Sequence, residues 1–168
     1  REGALVIHPT NIAKPNQPKK YVDKVAWMPM VRGILKKIRN APGVSSVHDG
    51  VIYKDDEYDY WIDDEGAHLK HRPGFGKRND NDIIAAYAIV RLTNGDQQVE
   101  VVGHDDLEKM RRSSKTGKNG KGPWATWKSQ MCKKGAWHRL APKLPLDDDI
   151  MRVINRDEEL YDFSQDQG

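Results

Sequence analysis

The chain of 168 residues fits a single domain, residues 1–168, and its 28 Lys and Arg against 25 Asp and Glu give a formal net charge of +3. A single cysteine, Cys132, excludes an intramolecular disulfide and a cysteine-only zinc site, and it fits a reducing, cytoplasmic setting. No apolar run approaches the roughly 18 residues that a membrane span needs, so we expect no membrane association.

The first quarter of the chain predicts a β-hairpin followed by a helix. Residues 4–7 are an apolar strand, and residues 21–27 alternate weakly, so we expect them to pair back on that strand across the proline-rich loop 11–20. Pro29 suits the first turn of a helix because its missing N–H costs nothing there. Apolar residues at helical spacing follow until Pro42-Gly43 ends the helix.

The middle of the chain predicts strands. Residues 51–53 and 58–62 flank the turn 54–57, so we expect them to form a hairpin, and residues 67–71 form the next strand. Residues 73–81 are a glycine-rich polar loop.

A second strand pair is predicted after that loop. Residues 83–90 are almost wholly apolar, as in a strand covered on both faces. Asn94-Gly95 is a strong hairpin signal, and residues 97–102 return as the antiparallel partner.

The last third predicts two helices and an acidic end. One helix runs from Gly103 or Asp105 to about Ser114, and a longer one from Pro123 to about Leu140, which would place Trp124, Trp127, Met131 and Gly135 on one inward stripe, with Lys133 and Leu140 opposite. Residues 147–168 hold eight acids and two arginines, and we expect a short helix with a mobile tail there. The pattern predicts an α+β fold with an N-terminal β-hairpin and helix, a central antiparallel sheet and C-terminal helices packed against it.

Positive charge is concentrated between residues 109 and 143. This segment has eight lysines, three arginines and no acid, which amounts to +11, and it contains three of the five tryptophans. Such a charge run repels itself unless a polyanion offsets it, and interleaved aromatic residues suit a polyanion with flat bases. The segment therefore indicates nucleic-acid binding, and by itself it fits RNA as well as DNA.

Other candidate sites are weaker. Gly117 and Gly122 have the G-x-x-x-x-G spacing of a phosphate-binding loop, but Pro123-Trp124 follows where lysine and serine or threonine are required. Seven acids between residues 55 and 65 would serve a divalent-metal nuclease, although their spacing is more typical of solvated turns. His68 and His71 are three apart on a strand and face opposite sides, so they make a poor metal pair. Cys132 is most simply a packed thiol.

Motifs along most of the chain resemble the RecT/Redβ family of phage single-strand annealing recombinases. The central hairpin 87–102 is similar to that family's, as are Ser113-Ser114-Lys115, Gly122-Pro123-Trp124, Lys133-Lys134 and the residues that continue to Pro145. Val31-Arg32-Gly33 is similar to the family's Gly-Tyr-Arg-Gly segment, with Met30-Val31 as a departure. His138 replaces a cation common in the family. The resemblance implies a core trimmed at both ends.

The resemblance also implies a function. It predicts a protein, not an enzyme, that coats single-stranded DNA, forms rings or filaments of identical subunits and anneals complementary strands without ATP. Required cofactors are not expected, and Mg²⁺ would only modulate binding. A phage 5′–3′ exonuclease and the host single-strand-binding protein are the implied partners, in the cytoplasm of a bacterial host. The residues expected to contact DNA are Arg32, Arg111, Arg112, Lys115, Lys118, Lys121, Trp124, Lys128, Lys133, Lys134, Arg139 and Lys143.

Overall fold

A computed structural model describes residues 3–13, 17–29, 31–114 and 117–152, and the side chains of residues 12–13, 17–22, 32–114 and 117–152. The N-terminal hairpin is confirmed: strand β1 (Gly3–Asn11) pairs antiparallel with β2 (Tyr21–Pro29). Helix α1 (Val31–Arg39) is the next element. It buries Ile34 and Ile38, four positions apart and therefore on one face.

The central sheet has three antiparallel strands in the order β3 (Val44–Tyr53), β6 (Ile83–Leu92) and β7 (Gln97–Gly103). The predicted turn at Asn94-Gly95 joins β6 to β7, with Gly95 at φ +97°. On one face of β6, alternating residues such as Ala86, Ala88 and Val90 are fully buried. The other face is only partly covered, so the expectation that both faces would be buried is wrong.

The predicted hairpin between residues 51–53 and 58–62 is also wrong. Strand β3 pairs with β6, whereas β4 (Glu57–Asp63) pairs with β5 (Gly66–Arg72) in a separate two-stranded sheet. The Asp56 carboxylate accepts a hydrogen bond from the Tyr53 amide at 2.9 Å, and the Lys54 amide donates to the Asp82 carbonyl at 3.0 Å. These bonds keep β3 on the central sheet to its end and turn the chain out of that sheet at Asp56.

The sheet is followed by helices α2 (His104–Ser113), α3 (Pro123–Thr126) and α4 (Lys128–Leu140). Helix α4 lies against the central sheet and buries Cys132, Ala136, Trp137 and Leu140. The Trp137 indole donates to the Asp49 carboxylate on β3 at 2.9 Å. The expected α+β fold is therefore confirmed, with the C-terminal helices packed on the central sheet.

A single long helix from Pro123 to Leu140 is not formed. The chain breaks at Trp127, where φ is −133° and ψ is 46°. The break rotates the two halves relative to each other, so Trp124 is 6% exposed but Trp127 is 64% exposed. Leu140, expected on the face opposite the stripe, is fully buried.

The C-terminal part is described only as far as residue 152. Residues 148–152 are helical, and Ile150 packs into the core. The predicted mobile tail lies outside the described residues. None of the helices in the described ranges is long and apolar enough to cross a membrane.

Candidate nucleic-acid interface

The basic segment is largely paired with acids from elsewhere in the chain. Five of the predicted contact residues lie within 4.0 Å of a carboxylate. The pairs are Arg111 with Glu108 at 2.8 Å, Lys128 with Glu108 at 3.9 Å, Lys133 with Asp49 at 3.4 Å, Arg139 with Asp106 at 2.9 Å, and Lys143 with Glu100. The fold thus offsets much of the self-repulsion that the sequence order suggests.

The acids in these pairs are held ionised. The pKa of Asp106 is lowered by hydrogen bonds from Lys109 and from Arg139. Burial acts to raise the pKa of Glu108, but the Arg111 hydrogen bond and the charges of Arg111 and Lys128 outweigh it and lower the pKa. These carboxylates therefore stay negative at neutral pH and compete with phosphate for their cations.

A smaller set of predicted cations is exposed and points to solvent. These are Arg32 on α1, Arg112 at the end of α2, and Lys118 and Lys121 in the loop between α2 and α3. Within the described ranges, no carboxylate lies within 4.0 Å of their charged groups. Lys115, also predicted, lies outside the described residues.

The loop that carries these exposed lysines also forms one wall of an open cleft of about 440 Å³. One wall is the loop 117–125, represented by Gly117, Gly120 and Ala125, and the other is the short turn 79–81 that precedes β6. Arg111 and Lys128 also line it. Trp124 and the carboxylates of Asp80 and Glu108 complete the lining, and Glu108 pairs with both cations. The cleft is therefore open and mainly polar, which suits a polar ligand more than a small apolar one.

The glycine spacing in the first wall has a structural reason. A Cβ on Gly117 would lie 2.5 Å from the Arg111 carbonyl oxygen, and Gly120 and Gly122 have φ of +65° and +73°. The Arg111 guanidinium donates to the Gly117 carbonyl at 2.6 Å, and the Ser114 hydroxyl accepts from the Gly117 amide at 3.0 Å. The glycines of the G-x-x-x-x-G pattern therefore shape a tight turn.

The second wall is tied to α4 through Asp80. Its carboxylate accepts hydrogen bonds from the Tyr53 hydroxyl and from the Ser129 amide, both at 3.3 Å. Helix α4 has no acid in its first turn, so Asp80 supplies the negative charge that stabilises a helix N-terminus. The second wall is consequently fixed to α4, and the first wall continues through α3 into the same helix.

Two predicted contact residues are buried. Trp124 and Lys134 are 6% and 5% exposed, although Trp124 is one of the residues that line the cleft, so their contacts with DNA stay predictions. Trp127 is instead the exposed tryptophan of the segment. Residues 124–128 contain neither proline nor glycine, so the sequence had no signal for the helix break that exposes it.

The acidic stretch 55–65 contains a carboxylate with a structural role, that of Asp56. Asp56 is 8% exposed and accepts hydrogen bonds from His71 at 3.0 Å and from Arg78 at 2.6 Å. His68 belongs to a different contact: it stacks on Trp61 with ring centroids 4.9 Å apart. Among the described residues, no group of three or more His, Cys, Asp or Glu could hold a metal ion.

The Cys132 thiol is buried and not activated. It is fully buried, and this burial raises the pKa of its thiol to about 12. The neighbouring lysines in the sequence therefore do not activate it, because the packed environment disfavours the thiolate.

Comparison with known proteins assigns the family. The profile of the RecT family matches residues 9–167. Protein RecT of Escherichia coli (strain K12) is 34% identical over 129 residues, which cover 76% of this chain and 45% of that protein. This chain thus spans less than half the length of that relative, and no solved structure matches it. Because the family match extends over nearly the whole chain, this protein belongs to the RecT family.

Proposed function

We propose that this protein binds single-stranded DNA and anneals complementary strands for homologous recombination, without hydrolysing a nucleotide. The family match over residues 9–167 is the observation that carries the proposal. The exposed Lys118 and Lys121 support it, because they lie in the loop that forms one wall of the open polar cleft and can contact phosphate there.

Annealing needs no fuel on physical grounds. Stacking supplies about 1.4 kcal/mol for each base-pair step, so duplex formation is downhill once two strands meet. The obstacle is repulsion between two polyanions. A protein that neutralises the phosphates of one strand and leaves its base edges open removes that obstacle, and such binding weakens as salt increases.

The exposed cations are the first candidates for phosphate contacts. Arg32, Arg112, Lys118 and Lys121 are free of carboxylates within the described ranges, so they can bind phosphate without first breaking an ion pair. The paired cations, such as Lys133 and Arg139, would have to exchange a carboxylate for a phosphate. Lys115, which lies outside the described residues, stays a candidate on its sequence position alone.

Assembly and partners form part of the same proposal. The protein would act as a ring or filament of identical subunits in the cytoplasm of a bacterial host. It would require no cofactor, with Mg²⁺ as a modulator only. A phage 5′–3′ exonuclease would supply the single strand, and the host single-strand-binding protein would be its other partner.

The test adds two complementary oligonucleotides in sequence to the protein, at low salt and without ATP. We expect faster annealing than with buffer alone. Intact binding with no acceleration would reject annealing for this chain.

Two further arms separate the rival functions. Magnesium-dependent cleavage of an end-labelled strand would favour the nuclease, and preferential binding of RNA over single-stranded DNA in competition would favour an RNA-binding module. We expect no cleavage and a preference for single-stranded DNA.

A further inference from the structure

A second basic segment lies outside the one that the proposed function uses. Residues 70–78 contain four lysines and arginines and no acid, and Phe75 is at their centre between two glycines. Phe75 is fully exposed, whereas the next most exposed large apolar residue in the described ranges, Ile62, is 69% exposed. A fully exposed phenylalanine loses the stabilisation that burial of its ring would give.

The loop that carries Phe75 is built on a buried carboxylate. The Gly74 amide and the Arg78 guanidinium both donate to Oδ1 of Asp56, at 2.9 and 2.6 Å, and Arg78 also donates to the Gly74 carbonyl. The Asp56 side chain is only 1% exposed, and the Arg78 guanidinium lies 4.6 Å from the centroid of the Tyr53 ring. Both ends of the loop 74–78 are therefore held by hydrogen bonds to Asp56, and Phe75 projects from this fixed loop.

This loop adjoins the cleft. Gly74, Gly76 and Asn79 line a shallow depression, and Asn79 also lines the cleft described above. The four Cα-to-Cα steps from Phe75 to Asn79 can span at most about 14 Å. A single strand advances about 3.4 Å for each stacked nucleotide, so Phe75 lies within about four nucleotides of the cleft edge.

We propose that Phe75 is a stacking platform for an unpaired base of single-stranded DNA that leaves this end of the cleft. The inference rests on the proposed function, and it adds a contact that the tryptophan-containing segment does not provide. The ring is flat, fully accessible and next to the exposed cation Lys77, which is the combination that single-strand binding sites use. Its immediate neighbours are glycines and cations, whereas the core of a protein interface is poor in charge.

Fluorine NMR offers a direct test, because the chain has only two phenylalanines, Phe75 and Phe163. The full chain is labelled with 4-fluorophenylalanine, and the Phe75→Leu variant assigns the two signals. We expect the Phe75 signal to shift when a single-stranded oligonucleotide is added. The same-length abasic oligonucleotide, which has the phosphates but no bases, should leave that signal in place.

Affinity measurements provide the second readout. Phe75→Ala should weaken binding of the normal oligonucleotide about 10-fold, the loss of one base–aromatic stack, while binding of the abasic oligonucleotide stays unchanged. Phe75→Trp should retain the wild-type affinity. Ile62→Ala is the matched control, because it removes another exposed apolar side chain and should change neither affinity.

The outcomes distinguish this inference from the proposed function. If wild-type protein binds and anneals DNA but Phe75→Ala binds equally well and the fluorine signal does not move, the stacking role is wrong and the proposed function stands. If the wild-type protein binds no single-stranded DNA, the proposed function itself fails and the inference with it. A change in the sedimentation of Phe75→Ala without DNA would show a protein contact instead and would also overturn the stacking role.

Discussion

The division of the cations into exposed and paired groups predicts how binding depends on salt. Replacing Arg112, Lys118 and Lys121 together by glutamine removes three cations that have no carboxylate within 4.0 Å in the described ranges. Each phosphate contact on a single strand contributes about 0.7 to the slope of log affinity against log salt. If all three contact phosphate, the slope becomes shallower by about 2, so between 50 and 200 mM salt the wild type loses about 20-fold more affinity than the variant.

Fluorescence anisotropy of a labelled single-stranded oligonucleotide, titrated at several salt concentrations, measures this slope. The matched control replaces Lys133, Arg139 and Lys143 by glutamine, which changes the net charge by the same amount. These three cations already contact Asp49, Asp106 and Glu100. We expect the control to change the slope less, because a cation that is already paired with a carboxylate neutralises fewer phosphates and so releases fewer of the counterions bound to DNA.

The result that refutes this reasoning is a control variant whose slope falls as much as that of the exposed variant. It would mean that the ion pairs in the structure give way freely to phosphate, so that internal pairing does not select the contact residues. Circular dichroism of both variants checks that the fold is retained.

Three further predictions concern the framework of the site. Asp56→Asn should lower the free energy of unfolding by about 3 kcal/mol, since it leaves the Arg78 charge without its buried partner, and urea denaturation measures this. Burial acts to raise the pKa of Asp56, but hydrogen bonds from Tyr53, Gly74, His71 and Arg78 outweigh it and lower the pKa. The stabilisation by Asp56 should therefore be complete above the unfolded pKa near 4 and decline as the pH falls below it. The wild type should then lose more stability than Asp56→Asn over this range, and equal losses would contradict the role of Asp56. Gly117→Ala should destabilise the fold by about 1–3 kcal/mol and weaken DNA binding, because the new Cβ would lie 2.5 Å from a carbonyl oxygen. The control is Gly103→Ala, whose Cβ meets nothing within 4 Å and which should have a smaller effect in thermal unfolding. Equal losses of stability in the two variants would contradict the close approach at Gly117. With its thiol pKa raised to about 12, Cys132 should react far more slowly with iodoacetamide at pH 8 in the native protein than in urea, as followed by mass spectrometry, and equal rates would argue against its burial.

Local patterns in the sequence were sufficient for most of the elements. Helical spacing of apolar residues marked α1, and Asn94-Gly95 marked the turn between β6 and β7, because these signals depend on residues only a few positions apart. The order of motifs around them was enough to indicate the RecT family, and the match over residues 9–167 confirms it.

Strand partners and helix continuity were decided by the tertiary structure. The buried Asp56 carboxylate, which interacts with residues as far away as Arg78, turns the chain away from the sheet that contains β3. The helical periodicity of the sequence continues through Trp127. Only the packing of α3 and α4 in the folded chain buries Trp124 and leaves Trp127 exposed. A pattern read in a short window contains no information about either event.

The charge of the candidate site shows the same division most clearly. The sequence by itself established a run of eleven cations without an acid, and with it a protein suited to a polyanion. Only the folded chain decided which of them are free, because Asp49, Glu100 and Asp106 approach Lys133, Lys143 and Arg139 from strands and a helix distant in sequence. Electrostatic interaction depends on distance in space, and the sequence records only distance along the chain.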